Sequence, residues 1–337
     1  MNPAGSAAPP RRILVVKLSA LGDLFHAVPV VHQLREAYGC PIDWVTQPEY
    51  AELVRCHRDV AEVIPYPRRG GLRAWADFRR HLRREAYDLA LDLQGLAKSG
   101  VVLGLARAQR KIAAARSREG AACFAKERPA DSGSGPHALD GLQDSLRHLG
   151  ISPLPPAYPL DFPEGPPLPG TRPRLAIAPR SRWPAKDWPL DKLTEAVREL
   201  RRLRPELSVV VLGGPADREA GEVLTAALGE GCWNLCGQTP LLALGAQLRE
   251  VDCLLCNDSG PMHFAAAVGT PLVALFGPTD PARTGPVGTG AVVLRPPPGP
   301  EGYPDLRSYK GTDCSLIARI SVEEVVAAVL RQLPQGG

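Results

Sequence analysis

The sequence predicts an α/β protein of two doubly wound, Rossmann-like domains facing a cleft, and three observations predict it. Short continuous apolar runs alternate with helix-period segments along both halves, and runs without a polar face belong to parallel strands covered on both sides. A stretch at 151–173 holds nine prolines in 23 residues, which excludes helix and central strand and marks a stiff linker. At 337 residues the chain exceeds one comfortable core. The expected organisation is an N-terminal domain over 1–150, the linker over 151–173 and a C-terminal domain over 174–337.

In the first half, RRILVVKL opens as a buried strand and a helical run follows from Leu24 to Tyr38. IDWVTQ, AEVIPY and DLALDLQG read as the later strands. Residues 128–136, with Ser and Gly, read as a surface loop. Beyond the linker, LAIAPR, SVVVLGG, CLLCND and PLVALFG are buried strands. Residues 191–204 and 241–249 supply helices with apolar residues near i, i+3 and i+4. Ser321 with Glu324 makes a capping box for a last helix over 322–333.

Composition narrows the class. Hydrophobic content of 44% with 23% charge is ordinary for a globular protein. The longest apolar candidate, 264–277, is broken by Gly269 and Pro271 and falls short of the roughly 18 residues a membrane span needs. MNPAGSAAPPRR is followed only by the short run Ile13 to Val16, so no signal peptide is read and a cytoplasmic location is expected. Eight cysteines lie at irregular spacings, and the one CxxC, Cys253 to Cys256, sits in strand-like sequence whose residues three apart face opposite ways. Reduced thiols and no metal are expected.

Up to residue 165 there are 22 Lys and Arg against 18 Asp and Glu, and beyond it 18 against 18, so the excess of +4 belongs to the first half. Residues 58–84 carry eight arginines against Asp59, Glu62 and Asp77, interleaved with Leu72, Trp75, Phe78 and Leu82. Such a segment suits a solvated helix or an anionic membrane surface. Nucleic acid is not an expected partner.

Five segments could carry chemistry. NDSGPMHFAAAVGTPLVALFGPTDP, at 257–281, reads as a strand end, a tight turn, a short helix and a second buried strand. Such a turn aims backbone N–H groups and a helix N-terminus at one spot, where phosphate oxygens bind. In KLSALGDLFHAVPVV, Asp23 stands where the first strand turns into the first helix, either as a helix cap or as a general base. DLALDLQGLAKSG places Gln94 and Lys98 beyond a strand's carboxyl end. RLAIAPRSRWPAKDWP sets Arg180, Ser181, Arg182 and Lys186 on a cationic loop suited to a diphosphate. VVVLGGPADRE allows close backbone approach at Gly213-Gly214, with Asp217 and Glu219 within reach of a ribose diol. Neither half opens with GxGxxG, which disfavours a dehydrogenase, and a two-domain binding protein would normally be exported.

As an ordered set, KLSALGDLFHAVPVV, DLQGLAKS, APRSRWPAKDWP, GGPADRE and the 257–281 stretch resemble the motifs of glycosyltransferase family 9, from about Arg12 to Leu333. The resemblance is to its lipopolysaccharide heptosyltransferases. It implies a GT-B fold and metal-independent, inverting transfer from an ADP-sugar without a cofactor, to a lipid A–Kdo or core oligosaccharide acceptor. With such an acceptor, the basic segment at 58–84 suits a place at the cytoplasmic face of the inner membrane. Carried over residue by residue, Asp23 is similar to the catalytic base and Lys186 to the diphosphate-binding lysine. Ser181 lies beside that lysine, and Glu219 matches the acid on the ribose. Asp258, Ser259, Gly260 and His263 match the turn that contacts sugar and phosphates, and Lys17, Gln94 and Lys98 fall on the acceptor side. Relatives often carry a cysteine-rich segment near the C-terminus, whereas residues 309–320 keep only Cys314. That departure leaves the acceptor, and the donor sugar, open.

Overall fold

Valine-, isoleucine- and leucine-rich runs too short for helices become the strands. In the N-terminal half β1 (Ile13–Val16), β2 (Ile42–Thr46), β3 (Val60–Pro65), β4 (Tyr87–Asp92) and β5 (Ala108–Ile112) form a parallel sheet in the order β3-β2-β1-β4-β5. Its helices are α1 (Leu21–Tyr38), α2 (Ala51–Arg55), α3 (Leu72–Leu82), α4 (Ala97–Leu105) and α5 (Ala138–His148). The C-terminal half holds β6 (Arg174–Ala178), β7 (Ser208–Val211), β8 (Cys232–Asn234), β9 (Cys253–Asn257), β10 (Leu272–Leu275) and β11 (Ala291–Leu294). These are again parallel, in the order β11-β10-β9-β6-β7-β8. Its helices are α6 (Leu190–Leu203), α7 (Arg218–Leu228), α8 (Ala243–Leu248), α9 (Gly260–Val268), α10 (Pro281–Thr284) and α11 (Val322–Gln332).

The computed structural model describes residues 8–288, 290–298, 302–303 and 312–335; residues 1–7 of the MNPAGSAAPPRR stretch and 309–311 of the Cys314 segment lie outside the described residues. Both sheets wind outward from their first strand, cross back and continue on its other side, which is the doubly wound plan the sequence predicts. The winding reverses between β1 and β4, and again between β6 and β9. Ligands of such sheets bind outside the carboxyl ends of the two strands at the reversal.

Central strands are the ones the sequence announces. Every residue of β1, β2, β9 and β10 is buried. Three edge strands, β5, β8 and β11, escape notice, while the edge strand β3 is the expected AEVIPY: β5 is Ala-Gln-Arg-Lys-Ile, with Gln109 and Arg110 exposed, and β8 spans only three residues. Polar or short edges limit strand-to-strand aggregation, and the same property removes the apolar signal. The last helix starts as expected, with Ser321 Oγ accepting from Glu324 N–H at 3.2 Å and Glu324 Oε2 from Ser321 N–H at 2.9 Å.

The proline-rich stretch is not a free linker. Gln33 Oε1 accepts from Leu154 N–H at 2.8 Å, Arg58 N–H donates to Pro159 O at 3.0 Å, and Asp161 N–H donates to Cys56 O at 2.8 Å. Phe162 instead packs on Phe264 of α9, at 5.3 Å between ring centroids. The chain therefore divides at Asp161/Phe162, inside the stretch. All eight cysteines are free thiols. Burial pushes Cys253 up to about 12 and Cys232 up to about 11, so these thiols stay protonated.

One buried histidine makes stability acid-sensitive. His57, 2% exposed, donates from Nε2 to Val28 O at 3.2 Å, and its Nδ1 accepts from Asp59 N–H at 3.2 Å. Burial lowers its pKa to about 4, with the contacts to Val28 and Asp59 opposing. Below pH 6.5 the unfolded chain takes up a proton that folded His57 refuses until about pH 4. Stability should thus fall by roughly 2–3 kcal/mol between those limits from this group. Urea unfolding at pH 7 and pH 4.5 checks it, because His57→Gln should flatten that acid-side decline.

Candidate functional site

In the C-terminal unit the loops after β6 and β9 meet at the reversal. Asn257 ties them: its Nδ2 donates to Pro179 O at 3.0 Å and its Oδ1 accepts from Trp188 N–H at 3.2 Å. Asp258 follows, with Oδ2 at 2.6 Å from Lys186 Nζ and 2.7 Å from Thr279 Oγ1. The pair is mostly buried, so removing either partner would strand a charge in a dry site. Asp187 anchors the start of the loop, accepting from Ser181 N–H at 2.7 Å and facing Arg180 Nη1 at 3.5 Å. Burial raises the Asp187 pKa, and the bonds from Ser181 and Arg180 pull it back down.

A cavity of about 540 Å³ opens beside this pair. Arg180, Ser181 and Arg182 line it, with Gly213 to Asp217 after β7, and Thr239, Leu241 and Leu244 near α8. Ser259, Gly260 and Pro261 at the N-terminus of α9 complete the wall. Ser259 is the N-cap of α9 yet makes no side-chain capping bond, and its buried Oγ has no partner among the described residues. Thr239 Oγ1 is likewise buried and unsatisfied. Unsatisfied hydroxyls beside a helix N-terminus are donors awaiting an acceptor, as an anion would provide. Gly213 must lack a side chain, because a Cβ there would lie 2.6 Å from Asp217 Oδ2.

The expected donor-side residues are distributed unevenly around this cavity. Ser181, Ser259 and Gly260 are in its wall, while Lys186 and Asp258 stand next to Ser259 outside it. The Ser181 hydroxyl is already used, donating to Trp183 O at 2.7 Å, so it shapes the loop. His263 is buried on the first turn of α9. Glu219 is exposed on the first turn of α7 and is not in the wall, whereas Asp217, weighed beside it, is. Thr279, Asp187 and Thr239 were not anticipated. The Gly-Pro-Thr-Asp-Pro run after β10 was the one available signal for Thr279.

The reversal of the N-terminal unit is built alike. Gln94 Oε1 accepts from the N–H groups of Leu18 and Ser19, each at 3.0 Å, stitching the end of β1 to the loop after β4. Fully buried Asp92 holds that loop, accepting from Gln94 and Gly95 N–H at 2.8 and 3.0 Å and from Ser99 Oγ at 3.0 Å. Gly95 has φ +74°, the left-handed conformation this tight turn demands. Asp23 Oδ2 accepts from Ala20 N–H at 3.0 Å and so caps α1. Its other oxygen has no partner among the described residues, leaving the cap and base readings compatible.

The three residues expected on the acceptor side differ in what they are free to do. Lys17 is 6% exposed, and burial pulls its pKa below the usual lysine range while nearby Asp23 and Asp92 oppose. It acts as an internal counter-charge to those carboxylates. Gln94 spends its carbonyl oxygen on the backbone of β1's end, which leaves only Nε2 for a ligand. Lys98, expected in a loop, lies on the first turn of α4, half-buried. Among the described residues, no three His, Cys, Asp or Glu gather as a metal site would require, and no helix is long and apolar enough to cross a membrane.

Residues 75–302 match the family model of glycosyltransferase family 9 (heptosyltransferase). The chain is 29% identical to lipopolysaccharide core heptosyltransferase OpsX of Haemophilus influenzae, covering 82% of both chains. It is 31% identical to lipopolysaccharide heptosyltransferase 1 of Pseudomonas aeruginosa, covering 84% of this chain and 83% of that one. The solved ADP-heptose heptosyltransferase II of E. coli superposes with a TM-score of 0.77 at 26% identity, over 95% of this chain and 98% of that one. If the Gln94 stitch holds the N-terminal reversal together, Gln94→Leu should cost about 1–3 kcal/mol in denaturant unfolding, because two backbone N–H groups lose their acceptor. Gln94→Glu, which keeps that acceptor, should cost less.

Proposed function

The chain belongs to glycosyltransferase family 9, and from that premise we propose that it moves a heptose from an ADP-heptose donor to a lipopolysaccharide core acceptor. Similarity to lipopolysaccharide heptosyltransferases over four-fifths of the chain supports this reading. The cavity at the C-terminal reversal is the observation that carries it, because it combines the three surfaces an ADP-sugar needs. Leu212, Leu241 and Leu244 offer apolar walls for a base. Asp217, or Glu219 after a side-chain swing, offers a carboxylate for the ribose diol. Ser259 and the amides of α9 face the phosphates, with Lys186, Asp258 and His263 behind them.

Asp23 is the residue for proton removal. The acceptor oxygen bonds to the anomeric carbon as the bond from that carbon to the β-phosphate oxygen breaks, inverting the centre. The electron pair leaves on ADP and the hydroxyl proton passes to Asp23. Lys98 and the free Nε2 of Gln94 serve an anionic or hydroxyl-rich acceptor, lipid A–Kdo or an inner-core heptose. The proposed location is the cytoplasm. Asp23→Asn should lower sugar transfer by about 10²–10⁴-fold with ADP affinity unchanged; turnover like wild type would remove the base assignment.

A lipid-anchored acceptor also gives α3 a role. Its inward side carries Phe78 and Leu82, with Tyr66, Trp75 and Phe78 in edge-to-face contact. Outward it presents Leu72, 92% exposed, with Arg73, Arg79 and Arg80, and Arg83 and Arg84 follow. Arg80 pairs with Asp77 at 2.7 Å, while Arg79, Arg83 and Arg84 have no carboxylate partner among the described residues. This surface rests on the anionic inner membrane. Sedimentation with phosphatidylglycerol vesicles should pull down the chain at low salt, and reversing the charges of Arg79, Arg80, Arg83 and Arg84 should abolish it.

A further inference from the structure

The charge balance at the donor cavity singles out one residue that the family motif does not. The loop after β6 carries three cations, Arg180, Arg182 and Lys186. Lys186 is neutralised by Asp258 at 2.6 Å, and Arg180 faces Asp187 at 3.5 Å. Arg182 is exposed, lines the cavity and has no carboxylate within ion-pair distance among the described residues. The one acid in the cavity wall, Asp217, does not pair with it and instead takes the Gly214 N–H at 2.7 Å. A diphosphate entering this cavity carries at least two negative charges, and the Lys186–Asp258 pair is close to neutral as a unit. Backbone amides and the unsatisfied Ser259 hydroxyl supply dipoles, not net charge.

We infer that Arg182 is a direct contact of the donor diphosphate and supplies the uncompensated positive charge for the departing nucleotide. Guanidinium suits the task, since its planar fork meets two phosphate oxygens at once and stays protonated. The contact strengthens as the anomeric bond breaks, because negative charge then accumulates on the β-phosphate oxygen. The inference rests on the ADP-sugar reading above.

Calorimetric titration of the full chain with ADP and with adenosine separates the possibilities. Arg182→Gln should weaken ADP about 10- to 100-fold, the size of one lost charge-assisted bond, while adenosine affinity stays put. Arg182→Lys should recover part of the ADP loss. Unchanged ADP affinity in Arg182→Gln would overturn the contact, and so would an equal loss for ADP and adenosine, which is what a purely structural role would produce. Failure of the wild-type chain to bind ADP would overturn the ADP-sugar reading and this inference together, whereas tight wild-type binding with an indifferent Arg182→Gln overturns this inference alone.

Discussion

Each sheet reverses its winding once, and at that point two neighbouring strands send their chains to opposite faces. The backbone N–H and C=O groups just beyond the strand ends then lose their ladder partners and, being buried, must find others. In both units a side-chain amide meets this demand. Gln94 gathers the N–H groups of Leu18 and Ser19, and Asn257 bridges Pro179 and Trp188. The groups assigned to chemistry hang from these stitches: Asp23 starts four residues after Ser19, and Asp258 directly follows Asn257.

Around the stitches lie buried charges arranged so that none is isolated. Asp92 is ringed by two amides and a hydroxyl, Lys17 feels the charges of both Asp23 and Asp92, and Asp258 Oδ2 joins Lys186 and Thr279. Such arrangements contribute little net stability, because desolvation offsets most of the attraction. Their value is positional, since each group has one arrangement that satisfies all its bonds. Stability comes instead from the apolar layers, in the C-terminal unit from Trp188, Leu193, Val197 and Leu200 packed with Val325 and Val329 on the sheet.

Reading the sequence worked best where one physical cause acted alone. Central strands were legible because burial on both faces demands an unbroken apolar run. β5 was missed because an edge strand answers to solvent on one side, and the first turn of α4, with Lys98, was read as part of the loop that Gly95 opens. The proline-rich stretch was legible as a boundary, but its first residues are held to the N-terminal unit by bonds from Gln33 and Cys56, partners more than 100 residues away.

The sequence by itself determined the α/β alternation, the two-unit plan and the family, and it located Asp23, Lys186 and the turn from Asn257 to His263. These are local matters, set by periodicity, turn residues and motifs of fixed spacing. Only the tertiary structure decided what each polar side chain is free to do. Lys17 and Gln94 look alike in sequence to ligand contacts, yet burial commits Lys17 to the scaffold, and two backbone partners occupy the carbonyl oxygen of Gln94 and leave its Nε2. Arg182 looks like one arginine among several, yet it alone of the loop's cations lacks a counter-ion among the described residues. Whether a charge is compensated depends on residues distant in the chain and near in space, and spacing along the chain does not carry that information.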